Sequence, residues 1–349
     1  MTSEAREASW ESGQPILFFR FTRGIKEWFY TSSDRDEVHN GDNYTSAPIR
    51  RGAIRQGSDR ARLSLDITIP STLPVAANWR PYPPSEPVVL TCFTRHVGET
   101  DVLADWTGRV VGPKFNGPEL ELKCEPTRIT GKRNGNPRVW QRGCGLVHYS
   151  QGLGMCNLDP EPVPVAATLT AVDEPTLTLT SLAFSSAPRS LAGGRVEWLD
   201  GSEVLQTVDI ISHSGDSIVV SAWSTDFAIA LDVTAYTAAL YKTATLTAVA
   251  GNNLTAAEFA EFPDFRFAGG YVKWVNADGL VEYRSIRDHS VDVITIDFGA
   301  LDLAPGLVLT TYPGCKHNWA DCGYYENRRN YGGDLWIPIE DPYNGNPIW

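Results

Sequence analysis

The chain has 349 residues, with 42 acidic side chains against 30 basic ones and a formal net charge of -12 at pH 7. That length is enough for roughly two to three domains with ordinary apolar cores, its six cysteines are too sparse for a disulfide scaffold, and no run of about 18 apolar residues offers a membrane-spanning helix. No basic stretch followed by an apolar core and a cleavage site opens the sequence, so synthesis in a reducing cytoplasm is expected. The charge is local. Residues 161–310 hold 19 Asp and Glu against 7 Lys and Arg, while the remainder balances at 23 against 23. This acidity is read as the solvated surface of an exposed module, and its sign disfavours nucleic-acid binding. The flanking sequence turns locally basic at Arg128, Lys132, Arg133, Arg138 and Arg142.

Residues 1–14 are polar without a sustained apolar face, which predicts a flexible arm or a short helix. From Pro15 the runs "ILFFRF" and "EWFYTS" flank "TRGIK", and "VHNGDNY" carries an Asn-Gly turn, so hairpins are expected. "ARLSLDITIP" alternates through Leu63, Leu65, Ile67 and Ile69, the period of a strand with one buried face. "PVVLTCFTR", "ADWTGRVVGP" and "PELELKCEP" extend the series, so residues 15–126 read as one compact all-β domain. Cys92 and Cys124 fall inside these runs and are expected as buried thiols.

Beyond Pro160 the sequence repeats itself. "ATLTAV" at 167–172 returns at 244–249, "AGGRVEWLDG" at 192–201 returns as "AGGYVKWVNADG" at 268–279, and "ISHSGDSIVVS" at 211–221 returns as "IRDHSVDVITID" at 286–297. The offsets of 77 and then 76 residues align Trp198 with Trp274 and His213 with His289. Two copies of a small β-barrel or β-sandwich, 161–240 and 241–310, are therefore predicted. The aligned histidines are expected to be structural and the aligned tryptophans to be core. Trp223 lacks a counterpart, and a receptor- or glycan-binding module is the alternative that these tryptophans motivate.

With the repeats set aside, residues 127–160 and 311–349 look like two halves of one interrupted domain. Cys144 and Cys156 stand in one half, with eleven residues between them, and Cys315 and Cys322 in the other, with six. All four lie in glycine-rich, turn-forming sequence. Disulfides are disfavoured by the inferred compartment. Zinc knuckles usually carry two to four residues between cysteines, whereas an iron–sulfur cluster, being larger than one ion, accepts thiolates from more open loops. The spacing leaves a cluster, zinc and free thiols open. No "GxGxxG" or P-loop occurs. Cys144 with His148, and Cys315 with His317, are candidate thiol–base couples, which would make a cell-wall hydrolase or a redox enzyme; no orienting acid is signalled, and a non-enzymatic role is expected.

"PGCKHNWADC" followed by "YYENRRNYGGDLWIP" resembles the C-terminal domain of bacteriophage minor tail and tail-tip hub proteins, the family of the lambda tail-tip protein L and of gene-transfer-agent hubs. The positions that carry the resemblance are Pro313, Gly314, Cys315, Cys322, Asn327, Asn330, Tyr331, Gly333 and Pro338. "FYTSSDRDEVHNGDNYTSAPIRRGAI", "LSLDITIPSTLPVAANW" and "DWTGRVV" are similar to the family's tail-hub domain. The resemblance implies that residues 15–126 are that hub domain. It also implies that 127–160 plus 311–349 form an irregular iron–sulfur domain whose 4Fe–4S cluster is ligated by Cys144, Cys156, Cys315 and Cys322. It further implies a structural virion protein at the distal tail tip: a homotrimeric ring joining the tail tube to the tip and nucleating assembly, in contact with a distal tail protein, a central hub or fibre protein and a tape-measure protein. The first cysteine gap is wider than in the lambda protein, and the resemblance assigns the duplicated insert no role.

Overall fold

The structure, a computed structural model, describes residues 15–54, 64–96, 103–126, 140–180 and 189–337. The expected arm at 1–14, Leu63, the basic residues Arg128, Lys132, Arg133 and Arg138, Pro338 and the C-terminal run 339–349 lie outside the described residues. The protein is mainly β, as its alternating patterns predict. Among the described residues no helix is long and apolar enough to cross a membrane.

The expected hairpins form. Strands β1 (Pro15–Arg23) and β2 (Lys26–Thr31) pair antiparallel across Gly24, whose φ of 54° suits a residue without Cβ. Strands β3 (Glu37–His39) and β4 (Asp42–Ser46) pair around Asn40 and Gly41, both at positive φ as a two-residue hairpin turn requires. Then come β5 (Arg50–Arg51), β6 (Leu65–Pro70), β7 (Val89–His96), β8 (Leu103–Asn116) and β9 (Glu119–Pro126). They join a nine-stranded sheet in the order β3-β4-β2-β1-β7-β8-β9-β6-β5. Phe19, Phe21, Leu65, Ile67, Ile69, Leu90, Leu120 and Leu122 fill one face. Cys92 and Cys124 are buried there, and burial drives the Cys92 thiol up to about 12, which leaves it an inert small hydrophobe.

The repeats are two copies of one barrel-type module, closed in the first copy and an open seven-stranded sheet in the second. The first contains β10 (Pro164–Asp173), β11 (Thr176–Leu179), β12 (Arg195–Leu199), β13 (Leu205–Ser214), β14 (Ser217–Val220) and β15 (Asp232–Tyr236), closed in the order β10-β11-β14-β13-β12-β15. The second contains β16 (Lys242–Thr245), β17 (Ala248–Ala250), β18 (Asn253–Thr255), β19 (Tyr271–Val275), β20 (Val281–Ser290), β21 (Val293–Ile296) and β22 (Val308–Tyr312), ordered β16-β22-β19-β20-β21-β18-β17. The two halves of β10, one pairing with β15 and the other with β11, become separate strands β16 and β17 at opposite ends of the second sheet. Even the bulges repeat, between Ile210 and Ser212 and between Ile286 and Asp288.

The repeated "AGG" has a steric cause. Gly193 and Gly269 take φ of 76° and 79°. A Cβ on Gly194 would stand 1.8 Å from the Tyr236 carbonyl oxygen, and one on Gly270 would stand 2.0 Å from that of Tyr312, because the last strand of each copy crosses directly over the glycine. Trp198 and Trp274 are core residues, as expected, and each donates its indole N–H to an aspartate at the same spacing, Asp226 and Asp302. Trp223 packs edge-on against Phe227 in the first core. His289 is buried with Nε2 donating to the Phe259 and Val291 carbonyls, while His213 accepts from the Leu191 amide at Nδ1 and faces the Gly215 carbonyl with Nε2. Both are structural imidazoles.

The chain divides into two compact units. One holds the described residues of the N-terminal sheet together with Lys273–Arg284 and Phe298–Leu303 from the second copy; the other holds the first barrel, the rest of the second copy and the cysteine segments. Inside the first unit Glu282 is nearly excluded from solvent and pairs with Arg23 and Arg284, while Ser85 donates to the same carboxylate. Burial alone would raise the Glu282 carboxyl. The Ser85 hydroxyl and the two guanidinium groups outweigh burial and hold it below its usual range.

Two predictions follow from this packing. Gly194→Ala and Gly270→Ala should each lower stability by about 1–3 kcal/mol or more through overpacking, whereas Gly201→Ala, with nothing within 4 Å, should be close to neutral in thermal unfolding. Glu282→Gln strands two buried guanidiniums and should cost about 3–5 kcal/mol at pH 7. Because the folded carboxyl is depressed, its contribution is present above the unfolded value of about 4.3 and is lost as pH falls through the folded value. Acid melts of the wild type should show that loss, and those of the Gln variant should not.

Candidate functional site

Two irregular segments of the second unit lie against one another: 140–160, which precedes the barrels, and 313–337, which follows them. The first is shaped by its own side chains. Ser150 accepts from the Cys156 amide at 3.2 Å, Asn157 accepts from the Gly152 amide at 2.8 Å, and the Asn157 amide reaches the Ser150 carbonyl at 2.7 Å, closing a loop that presents Cys156.

In the second segment a Cβ on Gly314 would meet the Ala268 carbonyl at 1.8 Å, so only glycine can precede Cys315 here. Asn318 caps the six-residue helix α1 (Trp319–Tyr324), accepting from the Asp321 amide at 2.8 Å, and α1 carries Cys322. Asp321 is buried. Its Oδ2 accepts from the Lys316 amide at 2.8 Å and its Oδ1 pairs with Arg266 at 3.0 Å, whose guanidinium lies 3.7 Å from the Tyr324 ring centroid. This ion pair ties α1 and the Cys315 loop to the second barrel.

The bonds that join the segments end mostly on backbone carbonyls. Cys144 N–H donates to the His317 carbonyl at 2.7 Å, the Tyr149 hydroxyl donates to the Pro313 carbonyl at 2.9 Å, and the Asp334 amide donates to the Gln141 carbonyl at 2.9 Å. Tyr331 hydrogen-bonds the Arg142 carbonyl. A Cβ on Gly333 would stand 2.4 Å from that same carbonyl, and one on Gly332 would reach the Cys144 sulfur at 3.2 Å. The "NYGGD" stretch therefore slides over the Cys144 turn with no room for side chains.

All four expected cysteines are half-buried free thiols of this region, and each pair is drawn from a different segment. Three sulfurs accept a hydrogen bond: Cys144 from the Gly332 amide at 3.3 Å, Cys315 from the His317 amide at 3.3 Å, and Cys156 from the Asn327 carboxamide at 3.6 Å. Burial, and then the proximity of Cys144 and Cys156, pushes the Cys322 thiol up to about 11; burial does the same for Cys315, also about 11, against an opposing pull from the His317 amide. Cys144 and Cys156 contribute to the upward shift of both Cys315 and Cys322, so the four sulfurs share one electrostatic neighbourhood that favours the neutral thiol at 315 and 322. Such a donor set suits a soft, thiolate-ligated group. Among the described residues no three His, Cys, Asp or Glu side chains are set to hold a metal ion by themselves.

The histidines occupy other roles than thiol bases. The His317 ring faces the Cys144 carbonyl at 3.1 Å, and His148 packs at a tilt between Tyr149 and Tyr325, held down to about 4 by burial and by the charge of His317. Sequence reasoning passed over Arg266, Asp321 and Tyr149, which hold the segments in place; the doubled glycine at 332–333 was the one visible sign of a close approach.

Residues 265–341 match the family described as "Phage conserved hypothetical protein BR0599", a stretch that begins beside Arg266 and contains Cys315, Cys322 and Asn327. An uncharacterized protein of Xylella fastidiosa (strain 9a5c) is 25% identical over an alignment of 482 residues that covers 100% of both chains. A chain in the virion of a native gene transfer agent particle aligns with a TM-score of 0.49 at 13% identity, over 99% of this chain and 95% of that one. The family match is confined to the C-terminal part of the chain.

Asp321→Asn should weaken the buried pair with Arg266 and release the Cys315 loop. A stability loss of about 3–5 kcal/mol in thermal unfolding, with faster alkylation of Cys315, is the expected result.

Proposed function

We propose that this protein is a structural component of a phage-type virion, a hub ring at the distal tail tip that links the tail tube to the tip and nucleates tail assembly. In this reading Cys144, Cys156, Cys315 and Cys322 hold a 4Fe–4S cluster. The observation that carries it is the convergence of two cysteine pairs, separated in sequence by both repeat copies, on one region where N–H groups are directed at three of the sulfurs. The phage-conserved family match over the second pair supports the virion setting.

When bound, the cluster would supply four soft-metal bonds joining segments that lack a regular hydrogen-bonded ladder. The protein's own part is to present the thiols on short, side-chain-closed turns, to exclude bulk between 332–333 and 142–143 with glycines, and to direct amides at the sulfurs. The role is assembly, not turnover. The ring is proposed to be a homotrimer in contact with a distal tail protein, a central hub or fibre protein and a tape-measure protein, and located in the virion after synthesis in the host cytoplasm.

Anaerobically purified full-length protein should contain iron and acid-labile sulfide in equal amounts with broad visible absorption; zinc in their place would overturn the cluster. Among the six single serine variants, those at Cys144, Cys156, Cys315 and Cys322 should lose iron and tail formation. Cys92→Ser and Cys124→Ser should keep both, at a packing cost of about 1–3 kcal/mol.

A further inference from the structure

We infer that Asn327 is the positioning residue of this centre, a carboxamide that sets Cys156 and Cys322 in register and directs an N–H at the Cys156 sulfur. The side chain is 2% exposed, buried just past the end of α1. Its backbone already brackets Cys322: the Asn327 amide donates to the Cys322 carbonyl at 2.9 Å, and the Cys322 thiol donates to the Asn327 carbonyl at 3.1 Å. The side chain then crosses to the other segment. Nδ2 donates to the Cys156 carbonyl at 2.7 Å and lies 3.6 Å from the Cys156 sulfur, which accounts for both amide protons. Asn330 fixes the orientation by donating to Oδ1 at 2.7 Å, since a flipped amide would set two NH2 groups face to face and oppose Oδ1 to a carbonyl.

No other residue type satisfies this set. Aspartate has the same shape but only accepts, so it would place a carboxylate against the Cys156 carbonyl and sulfur. Leucine would leave the buried carbonyl unpaired, and glutamine is one methylene too long for a closed site. The positioning claim concerns the protein alone. Its consequence for a bound cluster rests on the reading given under Proposed function: an N–H directed at a ligating thiolate draws off electron density and favours the reduced state.

The test uses the full-length chain as wild type, Asn327→Asp and Asn330→Ala. In chelator-treated protein, shown to be folded by its melting transition, iodoacetamide labelling is mapped cysteine by cysteine. Loss of the buried hydrogen bonds should raise labelling of Cys156 and Cys322 by about tenfold in Asn327→Asp, with Cys144 and Cys315 little changed and Asn330→Ala intermediate. Equal rates at all four cysteines in wild type and variant overturn the positioning role, as does a uniform rise, which marks general loosening. Should Asn327→Asp fail to fold, Asn330→Ala decides by the same labelling, because it frees the amide to flip. After anaerobic loading with iron and sulfide, Asn327→Asp should show a lower midpoint potential than wild type; an unchanged potential overturns the N–H···S part. If the wild type takes up no iron and sulfide, the cluster reading fails, and the labelling still decides the role of Asn327.

Discussion

The structure depends on a closure: the chain that leaves the Cys144–Cys156 segment must return to it after two barrels and be held there by few bonds. The Cys144 amide on the His317 carbonyl and the Asn327 carboxamide on the Cys156 carbonyl, both at 2.7 Å, are among the bonds that hold it. Loop-closure entropy grows only logarithmically, at about 0.6 kcal/mol per doubling, so a long insertion is tolerable provided its ends return close together. Barrel geometry supplies that return. The first strand of the first barrel pairs with its last, and just outside them Thr237 and Leu240 donate to the Val163 and Pro160 carbonyls. A barrel that begins and ends in one place can be inserted without moving the chain on either side of it.

Duplication of the barrel shows how one module answers to different surroundings. Strand order, bulges, the Gly-Gly crossing and the Trp-to-Asp bond persist in both copies because each is internal to the barrel. Residues of the β12–β13 turn and of the start of β13 have diverged from their counterparts. Val204 is exposed in the first copy, whereas its equivalent Leu280 is buried in the unit that contains the N-terminal sheet. Gln206 and Val208 of the first copy correspond to Glu282 and Arg284 of the second, where Glu282 forms buried ion pairs with both Arg23 and Arg284. A buried charge is retained only where its partners are supplied, so the substitutions at 282 and 284 make sense together and not singly.

The cysteine region has little regular structure, and its order comes from a different source. Short Asx and hydroxyl-closed turns fix each loop locally, positive-φ residues Tyr149, Asn157 and His317 redirect the chain, and glycines let backbones pass almost in contact. Such a region keeps its polar backbone groups paired through side chains and cross-segment bonds. It tolerates little change at the glycines or at the buried Asn327 and Asp321.

Much of this was legible in the sequence, for reasons that differ by element. The period-two runs marked β6 and β9, and the Asn40-Gly41 turn marked a hairpin, because burial on one face and φ > 0 are local demands met by local residues. The 76-residue offset disclosed two copies of one small β-module and placed Trp198 and Trp274 in their cores, since copies of a module keep the same inward positions. It also held the Asp226 and Asp302 partners, unread because one aspartate 28 residues beyond each tryptophan carries no local signal. The cysteine pairs could be counted and spaced. What joins them could not be read, nor the pairing of β1 with β7, nor the parallel pairing of β2 with β4, nor the burial of Glu282 against Arg23. These are contacts between residues far apart in the chain, whose energies depend on which surfaces the rest of the fold brings together, and tertiary structure alone decided them.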